Sequence, residues 1–117
     1  MSDRKMTIAD VLTVQLNLQV AMGEPMGTGE AGVKENVLAA IVELAEVLNE
    51  VNWKAWKRNS LKEVDRDALL TEMTDVLQFW ANMVNAMGFT ADEVALALST
   101  KWSENHRRIS AKEVTRG

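Results

Sequence analysis

The chain has 117 residues, a net charge of −4 and no cysteine. This length allows one domain with a single core, and the lack of cysteine excludes a disulfide framework and a thiolate metal site. The acidic balance argues against non-specific nucleic-acid binding, and no apolar run is long enough for a membrane span or a signal peptide. We therefore expect a cytoplasmic protein without direct nucleic-acid or membrane partners.

Apolar residues recur with helical spacing along almost the whole chain, and only one proline interrupts the pattern. A first helix is predicted after Thr7, which forms a capping-box-like pair with Asp10, and it runs to about Met22. The glycine-rich segment 23–32 follows as a predicted loop. Because no Gly-Lys-Ser/Thr follows these glycines, a phosphate-cradling P-loop is disfavoured.

Two long helices form the middle of the predicted fold. The second helix is predicted from about Val33 into the low fifties. The apolar stripe of this helix consists of Val37, Ile41, Leu44, Leu48 and Val51. The third helix is predicted over about 67–87, with Gly88 placed to end it. Apolar residues occupy much of the circumference of this third helix, which is typical of a helix that is central or covered by a partner.

A fourth helix is predicted after Thr90, which forms a capping box with Glu93, and it reaches about Arg108. Residues 109–117 are predicted to be a frayed tail, so a single all-α domain has its core at about residues 7–108. Four helices with long connections indicate a small bundle. Because helices of this length cannot bury so much apolar surface by themselves, we expect oligomerisation to complete the bundle.

Two pairs of acidic residues with three-residue spacing lie on the second and third helices. Glu43 and Glu46 share a face nearly opposite the apolar stripe, and Glu72 and Asp75 share a face of the third helix. Either pair alone is typical of a solvated surface. If the two helices lie antiparallel, however, the four carboxylates meet and require a cation. Oxygen ligands favour magnesium or manganese.

Such a metal site suits hydrolysis of a phosphoanhydride bond, because the metal neutralises phosphate oxygens and lowers the pKa of an attacking water. A di-iron site in a helical bundle uses Glu-x-x-His motifs. The only histidine, His106, does not follow any of these acids by three residues, so the di-iron interpretation is disfavoured.

The segment Trp53-Lys54-Ala55-Trp56-Lys57 follows the second helix. Two tryptophans beside lysines can act as an apolar staple between helices, with the lysine stems lying along it. They can instead form a wall on which a base stacks, with the two cations directed at its phosphates. From the residues alone, both interpretations stay open.

Glu43-x-x-Glu46, the tryptophan–lysine segment and Glu72-x-x-Asp75 together resemble the all-α nucleoside triphosphate pyrophosphohydrolases. That superfamily includes MazG-like enzymes, dCTP pyrophosphatases and dimeric dUTPases, and the resemblance covers about residues 35–108. It implies a magnesium-dependent enzyme, with manganese as a substitute ion, that splits a (deoxy)nucleoside triphosphate into the monophosphate and pyrophosphate.

The resemblance also implies roles for individual residues. The implied metal ligands are Glu43, Glu46, Glu72 and Asp75, and Glu46 is further implied to activate the water. The implied phosphate-binding residues are Lys54, Lys57, Lys101, Asn105 and Arg108. The residues implied to contact the base or sugar are Gln15, Gln19, Trp53, Trp56 and Asn82.

The substrate is less narrowly defined. The tryptophan–lysine segment resembles dimeric dUTPases and favours dUTP, whereas Asn82 resembles the MazG branch, which keeps dCTP, dGTP and GTP open. Asn49 replaces an aspartate of the dUTPase-like pattern, so the number of metals stays open. The single helical unit implies a homo-oligomer, either a tetramer of two tight dimers or a dimer, with sites near subunit interfaces. The competing classes are a non-catalytic helical oligomer and a nucleotide sensor without turnover.

Overall fold

A computed structural model describes the backbone of residues 5–22 and 27–116, and the side chains of these residues except 58–60 and 113–116. Within these ranges the chain is helical, without strands, which confirms the predicted all-α class. The helices are α1 (Ile8–Ala21), α2 (Gly29–Asn49), α3 (Arg66–Ala86) and α4 (Ala91–Arg116), with a 3-10 segment (Ala55–Ser60) between α2 and α3. None of the described helices combines the length and apolar character needed to cross a lipid bilayer.

The predicted capping residues set three of the helix ends. Thr7 and Asp10 exchange side-chain-to-backbone hydrogen bonds of 3.2 and 2.9 Å at the start of α1. Thr90 and Glu93 do the same at the start of α4, at 3.1 and 3.0 Å. Beyond the end of α3, Gly88 adopts φ +72°, a left-handed conformation that favours glycine. These three predictions are confirmed.

The start of α2 was predicted wrongly. The helix begins at Gly29 instead of about Val33, so the last part of the predicted loop 23–32 is helical. Residues 23–26 of that segment lie outside the described residues. The loop prediction relied on the low helix propensity of glycine, but tertiary packing overrides this weak preference at Gly32, which lies buried against α3.

The end of α4 also differs from the prediction. The helix continues to Arg116 instead of ending at about Arg108. No glycine or proline interrupts the sequence before Gly117, and alanine, lysine and glutamate in this stretch are good helix formers. The segment predicted to be a frayed tail is therefore helical through Arg116.

The helices do not close into a compact bundle within one chain. Among the described helices, α2 packs along α3, α1 packs on α3, and α4 contacts the others mainly through its first turns. A small core of Leu12, Ala81 and Val84 joins α1 to α3, and Val94 in the first turns of α4 packs against it. The radius of gyration is 18.3 Å, against roughly 13–14 Å for a compact domain of this length. The four-helix arrangement is therefore extended, with most of α4 projecting from it.

The apolar stripe of α2 does not face α3. Ile41 and Leu44 on this stripe are 56% and 52% exposed. The face that packs on α3 instead carries Gly32, Asn36 and Ala40, which are all buried. Because these side chains are small or polar, the two backbones approach closely and the apolar stripe is left on the outside of the chain.

Gly32 marks the closest approach between α2 and its surroundings. A Cβ at this position would collide with the carbonyl oxygen of Gly27 and lie 2.8 Å from the Cβ of Ala86 on α3. Contacts this short force the backbone to move. The absence of a side chain at Gly32 therefore allows the start of α2 to lie close to both Gly27 and α3.

We predict that Gly32→Ala lowers the free energy of unfolding by about 1–3 kcal/mol, as expected for overpacking. In an ordinary helix interior, the same substitution stabilises by about 1 kcal/mol, so a loss has the opposite sign to the propensity effect. Urea unfolding at matched protein concentration measures the change. The control is Gly27→Ala, whose Cβ would meet neighbours at 3.4 Å, an ordinary contact. A Gly32→Ala variant as stable as wild type would contradict the proposed close packing.

Candidate metal and nucleotide site

The antiparallel pairing of α2 and α3 brings acidic side chains of both helices to one point. Glu43 on α2 and Glu72 and Asp75 on α3 each offer a carboxylate oxygen, and these oxygens lie within 4.8 Å of one another. All three side chains are half-buried. Three of the four predicted ligands therefore converge, although they come from helices joined by a long connection.

The environment of this carboxylate cluster shifts the pKa of Glu72. Partial burial, followed by the negative charges of Asp75, Glu43, Glu46 and Glu50, raises the pKa of the Glu72 carboxyl. A cation among these oxygens removes that penalty, because it favours the charged form of each carboxylate. Oxygen donors at this spacing suit a hard divalent ion that keeps some of its waters. The donor set therefore fits the magnesium ion expected from the sequence.

Two further acids border the carboxylate cluster on α2. Glu46 is exposed and lies outside the three converging oxygens, although its charge acts on Glu72. A carboxylate near the metal but left free of it can accept a proton from water. Glu50, half-buried at the C-cap of α2, also acts on Glu72 and was not among the predicted ligands. The signal for Glu50 was its position one helical turn after Glu46 on the same row.

Buried amides lie along the α1–α2–α3 contact. The Gln15 side-chain nitrogen donates to the Asn82 side-chain oxygen at 3.2 Å, and both residues are buried, so the structure brings two predicted base contacts together. Gln19, one turn further on α1, is half-buried. Asn36 of α2, which sequence reasoning missed, is 1% exposed and donates to the Gly32 carbonyl oxygen at 2.7 Å. Its own side-chain oxygen has no hydrogen-bond partner among the described residues.

The tryptophan–lysine segment lies in the connection between α2 and α3. The rings of Trp53 and Trp56 meet edge to face with centroids 5.8 Å apart, and the Lys54 ammonium lies 5.3 Å from the Trp53 ring centroid. Such a position over an aromatic face is attractive for a cation. Trp56 is 73% exposed and Trp53 43% exposed. The tryptophans therefore do not fill a gap between helices of this chain, which favours the stacking wall over the staple.

The predicted phosphate row on α4 is not near the carboxylate cluster within one chain. Lys101, Asn105 and Arg108 share one face of the helix because of their spacing. Lys101 forms an exposed ion pair of 3.7 Å with Glu104. In the described part of the chain, α4 packs through its first turns, where Val94 meets the small core of α1 and α3, and Lys101 lies about two turns further on. The structure therefore does not bring this row to the carboxylates of its own chain.

We predict that Glu72→Gln stabilises the metal-free protein at neutral pH. Because its pKa is raised on folding, folded Glu72 retains its proton to higher pH than the unfolded chain does. Stability is therefore lost as pH rises from the ordinary glutamate pKa through the raised one, and the loss persists above it. The Glu72→Gln variant does not lose stability in this way, because its side chain cannot ionise.

Thermal unfolding in EDTA, from about pH 4 to about pH 8, measures this effect, because that range begins near the ordinary glutamate pKa. Added magnesium should stabilise the wild type more than the variant, since the amide of the variant offers only a neutral oxygen. The control, Glu30→Gln, alters an exposed acid in the first turn of α2. Equal stability of wild type and Glu72→Gln at all pH values would contradict the proposed repulsion.

Comparison with known protein families matches residues 7–114 to the dUTPase family. Comparisons with curated proteins and with solved structures gave no match. The family match spans nearly the whole chain, including every helix that carries the site residues described above. Membership implies a hydrolase that acts on nucleoside triphosphates. The chain belongs to the all-α dUTPase family.

Proposed function

We propose that the protein is a magnesium-dependent (deoxy)nucleoside triphosphate pyrophosphohydrolase, which converts a dNTP and water into the dNMP and pyrophosphate, with dUTP preferred. The observation that carries this proposal is the convergence of the Glu43, Glu72 and Asp75 oxygens within 4.8 Å, in a chain of the dUTPase family. Exposed acidic groups are common without an ion, but these three carboxylates converge from two separate helices. A cation among them would offset their repulsion.

The acidic residues divide between holding the metal and moving a proton. Glu43, Glu72 and Asp75 hold magnesium, or manganese in its place, from two rigid helices. When bound, the ion neutralises phosphate oxygens and lowers the pKa of water. Glu46 stands beside the carboxylate cluster and takes the proton from the attacking water. Glu46 also remains a candidate ligand when substrate closes the site.

The nucleotide lies between the carboxylate cluster and the tryptophan–lysine segment. Trp53 and Trp56 present open aromatic surface on which a base can stack. Lys54 and Lys57 come from the same segment and supply positive charge for the phosphates. Because the chain belongs to the dUTPase family, uracil is the proposed base of the nucleotide. Cytosine and guanine nucleotides are the alternative substrates.

The amides Gln15, Gln19 and Asn82 offer a second place for the base, because Asn82 follows Asp75 by seven residues, roughly 10 Å along α3 and away from the tryptophan–lysine segment. Gln15 and Asn82 use one donor and one acceptor on each other. A side-chain amide has two donor hydrogens and two acceptor lone pairs, so each retains further capacity. Uracil presents both carbonyl acceptors and an N–H donor, and such amides can satisfy both types.

A second copy of the chain completes the site in this proposal. Apolar residues on the outer faces of all four helices are exposed in one chain, including Leu16, Ile41, Leu70 and Leu98. Monomeric proteins rarely expose such continuous apolar surface. Burying it in a dimer, or in a tetramer of two dimers, also allows α4 of one copy to bring Lys101, Asn105 and Arg108 to the carboxylates of another.

We expect the purified protein to release pyrophosphate from dUTP faster than from other triphosphates in a panel of all common dNTPs and NTPs. EDTA should abolish release, and Glu46→Gln should reduce kcat by about 100-fold or more, as expected for loss of a general base. The Glu30→Gln variant, which alters an exposed acid in the first turn of α2 outside the carboxylate cluster, should retain activity. If no triphosphate is split, or if EDTA has no effect, the enzyme proposal is wrong and a non-catalytic oligomer or a nucleotide sensor replaces it.

We predict complementation between two inactive variants, Glu46→Gln and Arg108→Ala, if α4 reaches the site of another copy. In a mixed dimer, one site carries both substitutions and the other carries neither. Equal mixing after unfolding and refolding should therefore restore up to about a quarter of wild-type activity, from the statistics of a two-fold dimer. A mixture as inactive as its components would place Arg108 in the site of its own chain. Light scattering on the wild type measures the size of the oligomer.

A further inference from the structure

One side chain closes the connection between α2 and α3. The Asn52 side-chain nitrogen donates to the Lys62 carbonyl oxygen at 2.8 Å, and the Lys62 backbone N–H donates to the Asn52 side-chain oxygen at 3.1 Å. A single amide thus makes the pair of bonds that backbone groups of two paired strands make with each other. We refer to this pair of bonds as the Asn52 clasp.

The clasp encloses the residues proposed to hold the nucleotide. Trp53, Lys54 and Lys57 all lie between its two ends, and Lys57 N–H donates to the Lys54 carbonyl oxygen at 3.0 Å inside the loop. Without the clasp, the loop loses this tie between the end of α2 and the start of α3, so its conformational freedom increases. Ordering such a loop on binding reduces affinity, and a loop that is already closed avoids that loss.

The clasp also holds a third lysine, Lys62, beside the start of the loop. Lys62, which has no assigned role, joins Lys54 and Lys57 around a cavity of about 210 Å³ that Asn49, Asn52 and Trp53 also line. Three lysines along one cavity favour an anionic ligand such as a phosphate chain. Asn52 and Lys62 also line the adjoining cavity, where Glu50 and Asp65 lie. The clasp residues therefore line both a cavity with three lysines and an adjoining cavity with three acids, Glu50, Glu63 and Asp65.

The clasp lies close to the carboxylate cluster along α2. Glu43 lies six residues before Asn49, the last residue of α2, which is roughly 9 Å along a helix. Glu50 connects the two regions, because it lines the acidic cavity and also acts on the pKa of Glu72. The basic cavity thus lies at the same end of the α2–α3 pair as the three converging carboxylates.

We infer that Asn52 is a positioning residue that fixes the tryptophan–lysine loop for nucleotide binding, and that Lys62 is a further cation for the phosphate chain. The identity of the ligand rests on the proposed function. The clasp itself rests on the two hydrogen bonds. Asn52 acts through the loop and does not need to touch the substrate.

The test measures binding separately from turnover, using a non-hydrolysable α,β-imido analogue of dUTP with magnesium in isothermal titration calorimetry. Asn52→Ala should weaken binding by about tenfold, from the loss of two hydrogen bonds that order the loop. With dUTP as substrate, KM should rise by a similar factor while kcat changes less than about twofold, the pattern of lost uniform binding. The magnesium-induced shift in Tm should stay as in wild type, because the carboxylate cluster lies on the helices.

Lys62→Met provides the second variant, because it leaves the backbone groups of the clasp intact. It should weaken analogue binding severalfold and reduce the dependence of binding on salt concentration. The matched controls are Asn17→Ala and Lys34→Met, exposed residues of α1 and α2 away from the loop, and both should bind as wild type.

The outcomes separate this inference from the proposed function. If Asn52→Ala and Lys62→Met bind the analogue as tightly as wild type, the inference is wrong while the proposed function stands. If wild type binds the analogue but splits no triphosphate, the proposed function is wrong, and the ratio of affinities still tests the clasp. A lower Tm for Asn52→Ala with unchanged affinity and KM would show a purely structural role and overturn the inference.

Discussion

The close antiparallel packing of α2 on α3 is the constraint on which the rest of the structure depends. It is made by residues with little or no side chain: Gly32 and Ala40 on α2 are buried, and Ala86 on α3 lies against Gly32. In the same register, Glu43 comes opposite Asp75. The helices therefore gain contact at one end while the carboxylates repel one another at the other. In the proposed metal-bound state, a divalent cation would offset that repulsion, so metal binding would stabilise the pairing of the two helices.

The same constraint accounts for the apolar surface of the chain. Because small and polar residues occupy the α2–α3 contact, the larger apolar side chains of α2 point away from it, as Ile41 and Leu44 do. They have no partner of sufficient area within the described residues, since the core that joins α1 to α3 is small. A site between close helices and an outer surface suited to another copy are thus two results of one packing arrangement. In the proposed oligomer, the phosphate row of α4 belongs to the neighbouring copy's site.

Sequence patterns identified local features well and long-range partners poorly. The capping boxes at Thr7 and Thr90 depend on residues three apart, so the sequence contains everything that determines them. The apolar stripe of α2 was also identified, but periodicity shows that a face is apolar without showing what covers it. The fully buried Asn36 and the clasp residue Asn52 were missed. The burial of Asn36 depends on the pairing of α2 with α3, and the partner of Asn52 depends on loop closure, neither of which local spacing reveals.

In the proposed site, the residues for catalysis lie on helices and the residues for nucleotide recognition lie mainly on the connection between α2 and α3. Its carboxylates stand on two helices in mutual contact, where geometry is fixed by backbone packing. Its aromatic wall and lysines stand on a connection whose shape depends on a few polar contacts, above all the Asn52 clasp. Substitutions in the connection can therefore change the preferred base while the metal site persists. The proposed metal-binding acids repeat at helical spacing, so the sequence alone reveals them, whereas the identity of the base depends on the shape of the loop.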